Sequence, residues 1–427
     1  MFKNLSLAVT LGLALSVSAA EKNPSGNRYK SIETLAKGLF YLENLYVDPN
    51  KVVYEDMVYE AMKGVVTQLD PHTVVMPRRA FKQLTIDTQG KFGGIGIIVS
   101  TENKRLIIVR PIEDTPAHKA GIKSGDEIIA IDGVKVEDMK GSQATEMMRG
   151  KPDTKINLTI KREKQKEPLE FTIIREIIKV KSVRSEFLGQ GILYTRIASF
   201  QDNTADEMQG TLTKNKDKIK GIVLDLRDNP GGLLDQAVRI TDMFVESGLI
   251  VSTVGRTKKD IEREFAHKRG TFSSFPIVTL INGGSASASE IVAGALQDHE
   301  RSLVMGTTSF GKGSVQTLVS LPDSSGLKIT VARYFTPKDR SIQAKGIAPD
   351  VYVSAAVDQK PRMKKESDLK GHIKGEDLSD MARDSGIQSE FSQWPYIFRN
   401  DRQLQVAYTY LRGWKRIKSK NDIDNKL

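Results

Sequence analysis

The strongest constraint on the fold lies between Gly191 and Val353, where short apolar runs alternate with stretches of helical period. Ile192–Phe200, Ile222–Leu226 and Ile277–Ile281 are apolar runs without the strict apolar–polar alternation of strands with one wet face. Stretches near Asn203–Lys214, Leu233–Val245 and Ser287–Leu296 separate them with helical spacing. Strands buried on both faces and joined through helices imply a layered α/β unit with a largely parallel sheet. In such sheets ligands sit at the carboxyl ends of the strands.

Other segments follow different rules. Ile32, Leu35, Leu39, Leu42 and Leu45, then Met57, Ala61, Met62, Val65 and Leu69, recur at three and four residues and predict a helical arm. From Gly90 to about Ile178 the chain turns to short β-branched runs at Ile95–Val99, Leu106–Val109, Glu127–Ile131, Ile156–Ile160 and Leu169–Ile174, with a turn at Asp132-Gly133. Asp358–Asp384 is charged and poor in apolar residues, and reads as a linker. The aromatic patch from Phe391 to Trp414 is expected to dock. The organisation expected is a signal peptide at 1–20, a helical arm at 21–86, a β-rich module at 87–178, an α/β core at 179–356, and a linker with a helical carboxyl-terminal region at 357–427.

The first residues are Met1, Phe2 and Lys3, followed by an apolar stretch from Leu5 to Val17 and then Ser18, Ala19 and Ala20. This is the layout of an export signal, and its apolar stretch is shorter than the roughly 20 residues of a membrane span. An exported protein is expected, in the periplasm, with a peripheral membrane association as a variant of that location. A net charge of +11 is spread thinly, without a basic block interleaved with aromatics, so nucleic acid is not an expected partner. The chain has no cysteine, which removes disulfides, thiolate metal sites and thiol nucleophiles. No cofactor or metal is expected.

The chemistry-bearing residues cluster in the α/β region. Ile277–Ile281 runs into Asn282-Gly283-Gly284-Ser285-Ala286-Ser287-Ala288-Ser289-Glu290, a strand, a glycine turn and a helix start. A serine there meets free backbone amides, and the helix amino terminus favours charge developing on a reacting carbonyl oxygen. Ser287 with Glu290 also fits a plain capping box. Downstream, Lys312 lies between Gly311 and Gly313 in Ser309-Phe310-Gly311-Lys312-Gly313-Ser314. A lysine becomes a base at neutral pH only if desolvation lowers its pKa by about 3 units, a cost of ~4 kcal/mol, which requires an enclosed site. Gln316, four residues on, could orient the amine. His72, His118, His267, His299 and His372 lack the context of a triad, and no Gly-x-Ser-x-Gly turn is present. Asp225-Leu226-Arg227-Asp228-Asn229-Pro230-Gly231-Gly232 forms a second glycine turn suited to an anion. A phosphate loop would need Ser or Thr directly after Lys312.

Together these motifs resemble those of the carboxyl-terminal processing proteases, tail-specific serine peptidases with a Ser-Lys dyad. Leu69-Asp70-Pro71-His72-Thr73, Phe92-Gly93-Gly94-Ile95-Gly96-Ile97, Asp225-Leu226-Arg227 with Asn229-Pro230-Gly231-Gly232, Ser285–Glu290, Phe310-Gly311-Lys312-Gly313 and Gln316 stand in family order. The resemblance implies a multi-domain α/β protein: a protease core with a crotonase- or Clp-like layered fold, a PDZ domain inserted in or preceding it, and helical arms at both ends. It maps the nucleophile to Ser287, the base to Lys312, a lysine-orienting group to Gln316, and the oxyanion amides to Ala288 and the Gly231-Gly232 turn. Ser285 and Ser289 remain the runner-up nucleophiles. In the PDZ module Gly94, Ile95, Gly96 and Ile97 would hold the carboxylate of an apolar substrate tail, although Gly93 and Gly94 also suit a β-bulge. Arg149 would couple that module to the site. A homodimer or larger homo-oligomer and an activating adaptor protein are further implied partners. A non-enzymatic PDZ adaptor and a thioester-processing α/β enzyme are the competing readings.

Overall fold

The computed structural model describes residues 24–102, 105–139, 143–163, 165–257, 259–355, 391 and 393–424. The export signal and the linker therefore lie outside the described residues, as does His372. The described chain divides into two compact units, one ending at Val75 and the other beginning at Met76.

The first unit carries helices Pro24–Leu45 and Tyr54–Val66. Asp48 accepts from Asn50 N and starts the turn between them. The Asp70-Pro71-His72-Thr73 motif closes on itself, because Asp70 accepts from His72 N (2.8 Å), Thr73 N (2.9 Å) and Thr73 Oγ1 (2.7 Å). This is an Asx-type turn, and it gives that motif a local structural role. Helix Pro24–Leu45 leaves Tyr29, Ile32, Leu35, Tyr41, Leu42 and Leu45 exposed.

In the second unit, helix Arg78–Gln89 follows Pro77 and stops at Gly90, whose φ of 63° provides a left-handed C-cap. An antiparallel sheet follows, in the order Ile97–Glu102, Arg105–Pro111, Glu127–Ile131, Lys155–Lys161, Leu169–Ile174. Alternation along Lys155–Lys161 buries Ile156, Leu158 and Ile160 completely while the intervening residues face outward. Asp132-Gly133 turns with both φ angles positive, as a tight hairpin requires. Lys91–Gly94 pairs with Glu176–Lys179, which brings the two ends of the module together at a neck.

The core sheet runs Val183–Phe187, Ile192–Ile197, Gly221–Asp225, Ile277–Ile281, Ser302–Gly306, Val351–Tyr352. Its first pair is antiparallel and every later pair is parallel. Side chains alternate between two hydrophobic layers. Ile222 and Leu224 meet helices Thr204–Asn215, Leu234–Asp242 and Ala288–Asp298, whereas Val223 meets Trp394, Phe398, Leu404, Tyr408 and Leu411 of the carboxyl-terminal region. The aromatic patch thus forms the third layer of an α/β/α sandwich. A separate antiparallel sheet contains Ser314–Ser320, Gly326–Phe335, Gly248–Val254 and Ile261–Ala266. The apolar spacing did not reveal it, because Ile261–Ala266 is exposed at all but its last residue.

Asp126 is nearly fully buried in the β-rich module and receives Arg162 Nε (2.7 Å) and Nη2 (2.8 Å) on its two oxygens. Burial alone would raise its pKa, but the Arg162 fork and the Lys123 amide outweigh it and hold the carboxyl below its usual range. The resulting stabilisation is present above the unfolded value of about 3.9 and disappears as pH falls through the lower folded value. Asp126→Asn is expected to destabilise the module by about 3 kcal/mol at neutral pH, read as faster hydrogen exchange along Lys155–Lys161. The difference from wild type should begin to shrink below about pH 4 and close only at lower pH, as Asp126 becomes protonated in the fold.

Candidate active site

Three loops leave the carboxyl ends of adjacent parallel strands and meet: 226–233, 282–287 and 307–313. Asn282 joins the first two, since its Oδ1 accepts from Asp228 N (2.9 Å) and Gly284 N (3.0 Å) and its Nδ2 donates to Asp228 Oδ1 (2.9 Å). The chain then reverses sharply into helix Ala288–Asp298 through Ser287, which has φ 57° and ψ −116°. A non-glycine residue with this backbone is strained by about 1–3 kcal/mol. It is the geometry of a nucleophile elbow, where a strand-to-helix turn lifts a serine hydroxyl out of the fold. Ser285 and Ser289 stand at the two positions that are glycine in the Gly-x-Ser-x-Gly form of this turn.

The neighbouring serines have other work. Ser285 is fully buried, and its Oγ donates to Leu226 O (2.7 Å). Ser289 is equally buried and donates to Asn229 O (3.0 Å). Ala286 N also reaches Asn229 O (3.0 Å). These bonds fasten the elbow to the 226–233 loop, and of the three serines only Ser287 is partly exposed.

Glu290 fastens the elbow to the third loop. Its carboxylate is fully buried and accepts four hydrogen bonds: from Ser287 N (2.8 Å), Lys312 N (2.9 Å), Gly311 N (2.7 Å) and Ser309 Oγ (2.6 Å). Ser287 N and Lys312 N share the same oxygen, Oε2. The capping-box reading is correct as far as it goes, but the same carboxylate brings two segments 25 residues apart onto one atom. The spacing Ser-x-x-Glu was the available signal, and it gave no hint of the second half of this role.

The glycines beside Lys312 serve close packing. Gly311 has φ 94°, and a Cβ on Gly313 would lie 2.5 Å from Gln343 N. Tyr334, which sequence reasoning missed, donates its hydroxyl to Lys312 O and is hydrogen-bonded to the Ser287 side chain. Burial and the nearby Glu290 charge push the pKa of this phenol far up, so it stays protonated. Gln316 Nε2 donates to Ser314 Oγ (2.8 Å), Thr330 Oγ1 (3.3 Å) and Ser314 O (3.3 Å).

The Gly231 turn presses on the elbow: a Cβ at Gly231 would lie 2.7 Å from Ser287 Cβ and 3.0 Å from Ala288 N. In this conformation Gly231 N donates to Asn229 Oδ1 (2.9 Å), inside its own turn. Gly232 approaches Phe200 so closely that a Cβ would stand 2.0 Å from Phe200 O. His299 is away from this cluster, with Nε2 bonded to Leu249 O (2.7 Å).

In the β-rich module, Ile95 O accepts from Ala117 N and Gly96 O from Ile112 N, both at 2.9 Å. Gly96 (φ 80°) leads into Ile97–Glu102, an edge strand paired with Arg105–Pro111. The register irregularity falls at Ile98/Val99, whereas Gly93 and Gly94 pair regularly with Ile177 and Glu176. Gly93 is instead required by a contact: a Cβ there would sit 2.0 Å from Gly150 O. Arg149 stacks over Phe92 (4.6 Å to the ring centre) and bonds Gln83 Oε1 on helix Arg78–Gln89.

Comparison with known proteins identifies the family. Residues 191–353 match the model of peptidase family S41, and residues 93–173 match a PDZ domain. A carboxy-terminal-processing protease of Bartonella bacilliformis is 41% identical over 415 residues, covering 95% of this chain and 94% of that one. A carboxyl-terminal-processing protease of Synechocystis is 36% identical, over 69% of this chain and 70% of its own. The solved photosystem II D1 C-terminal processing protease is 28% identical over 75% of this chain and 92% of that one, with a TM-score of 0.44. The non-enzymatic adaptor and the thioester enzyme therefore fall away. A strand-rich PDZ domain and an α/β core whose strand ends converge on a strained serine turn mark the chain as a serine-type peptidase belonging to the carboxy-terminal-processing proteases of family S41.

Proposed function

We propose that this peptidase binds the apolar carboxyl terminus of a protein substrate on its PDZ domain and cuts the chain with Ser287 as nucleophile and Lys312 as general base. The observation that carries this reading is the shared Glu290 oxygen, which ties the backbone of the strained serine to that of the lysine. Neutral Lys312 takes the Ser287 hydroxyl proton as Oγ attacks the peptide carbonyl. The amides of Ala288 and Gly232 stabilise the tetrahedral oxyanion, and Gly231 N joins them once it leaves Asn229. Lys312 then returns the proton to the leaving amine, and water releases the acyl-enzyme. Gln316 acts by holding the strand after Lys312, through Ser314 and Thr330.

The tail would add as a strand along Ile97–Glu102, with its carboxylate on the amides of Ile95, Gly96 and Ile97 and with Gly94 giving the loop its entry. Arg149 sits where helix Arg78–Gln89 meets the PDZ domain, a position suited to relaying occupancy. The exposed apolar face of Pro24–Leu45 is assigned to a second copy of the chain, and the protein to the periplasm after export. Sedimentation of the chain with and without residues 24–75 tests the dimer, which should be lost in the shortened form.

Ser287→Ala and Lys312→Ala should each abolish cleavage of an unfolded substrate with a free apolar carboxyl terminus while remaining folded, Ser287→Ala losing only the ~1 kcal/mol of its helix cap. Amidation of that terminus should raise KM at least tenfold in the wild type. Full activity of Lys312→Ala would overturn the dyad. Glu290→Gln replaces two of the four acceptor positions with donors facing donors. It is expected to lower kcat about 100-fold, in line with the sensitivity of such sites to small misplacements, and to lower the melting point by several degrees. Steady-state kinetics and thermal unfolding on the same preparations check both effects.

A further inference from the structure

Strand Gly221–Asp225 ends on a fully buried carboxylate. Asp225 Oδ1 accepts from Arg227 N (3.0 Å) and Nε (2.9 Å), and Oδ2 from Arg227 Nη2 (2.7 Å) and Tyr194 OH (2.8 Å). The other edge of the guanidinium is gripped from the opposite end of the sequence. Arg227 Nη1 donates to Asp401 Oδ1 and Gln403 Oε1, both at 2.9 Å, and Nη2 donates to Asp401 Oδ2 at 2.6 Å. Burial would lower the guanidinium pKa, but the two carboxylates push it further up than burial pushes it down, so the cation is permanent.

Anchoring the carboxyl-terminal helix does not require this clasp. Leu404, Ala407, Tyr408 and Leu411 already bury that helix against the sheet. A desolvated ion pair adds little stability compared with apolar residues in its place. What a planar guanidinium held by two carboxylates does supply is a fixed orientation. Arg227 is followed at once by Asp228-Asn229-Pro230-Gly231-Gly232, the turn that touches Ser287 Cβ and the Ala288 amide.

We infer that the carboxyl-terminal arm is a positioning part of the active site: Asp401 and Gln403, acting through Arg227, hold the Asp228–Gly232 turn in register with the Ser287 elbow. The inference rests on the reading of Ser287 as nucleophile, and it extends the functional site to a layer of the fold on the far side of the sheet. Neither Asp401 nor Gln403 touches substrate. Their contribution is to the geometry of the oxyanion donors, so it affects turnover rather than substrate capture.

Asp401 also caps its own helix, with Oδ1 accepting from Leu404 N (3.0 Å), and the test must separate the two roles. Asp401→Ser keeps a good N-cap on a side chain too short to bridge to Arg227. Kinetics on an unfolded substrate with a free carboxyl terminus should show kcat reduced about tenfold or more, with KM within about twofold of wild type. Hydrogen exchange over residues 226–233 should quicken about tenfold, with exchange in Lys155–Lys161 unchanged. Wild-type kcat and wild-type exchange in folded Asp401→Ser would overturn the inference. Should that variant not fold, Gln403→Met decides: it keeps the buried volume and removes both the acceptor for Arg227 and the donor to Val353 O (2.7 Å), so a drop in kcat of about threefold with faster exchange over 226–233 supports the clasp, while an unchanged kcat or unchanged exchange there refutes it. If the wild type neither cleaves the substrate nor labels at Ser287 with a fluorophosphonate, the nucleophile assignment fails, and the exchange measurement still decides whether the clasp orders the turn.

Discussion

The Glu290 carboxylate is fully buried and accepts four hydrogen bonds. A buried carboxylate is tolerated only when its lone pairs are filled. Here the fillers are three backbone amides and one hydroxyl from two separate segments. Either segment can retreat only by leaving part of that charge bare, so the cost of desolvation is converted into a fixed distance between the elbow and the lysine loop. The strained φ and ψ of Ser287 persist for the same reason: the surroundings over-determine them.

Close approach of backbones does the rest. The turn at Gly231 touches the elbow, Gly232 lies against Phe200, Gly306 against Ile281 and Gly313 against Gln343, each at a distance that leaves no room for a Cβ. Ser285, Ala286, Ala288 and Ser289 are all small, and the hydroxyls of the two serines donate to Leu226 O and Asn229 O. The elbow therefore depends on small residues from three strand ends at once. Adding volume at any of them pushes apart elements that Glu290 and Asn282 hold together.

This division between what was legible in the sequence and what was not has a physical basis. Ile277–Ile281 announced a parallel strand because both of its faces are buried, and the hydrophobic pattern records burial directly. Glu127–Ile131 and Leu169–Ile174 were likewise legible to the residue. Ser287 stood out by its place between a strand and a helix, yet the pattern could not separate it from Ser285 and Ser289, whose hydroxyls differ only in which distant carbonyl they meet. Tyr334 and Asp401 left no local trace, since each reaches the site from a segment remote in sequence. The engagement of Gly231 N by Asn229 and the partners of Gln316 are also tertiary facts, invisible to spacing.

The architecture turns a stability problem into a functional one. A sheet buried on both faces needs a layer of helices on each side, and here the layer under Val223, Val278 and Leu280 comes from the end of the chain. That layer also supplies Asp401 and Gln403 to Arg227, so the residue that opens the 226–233 turn is bonded to the carboxyl-terminal layer. On the inference drawn above, the 226–233 turn of such a peptidase is not fully oriented while the carboxyl-terminal region is undocked. Completion of the fold and competence of the site then share one set of contacts, and loss of either is felt in both.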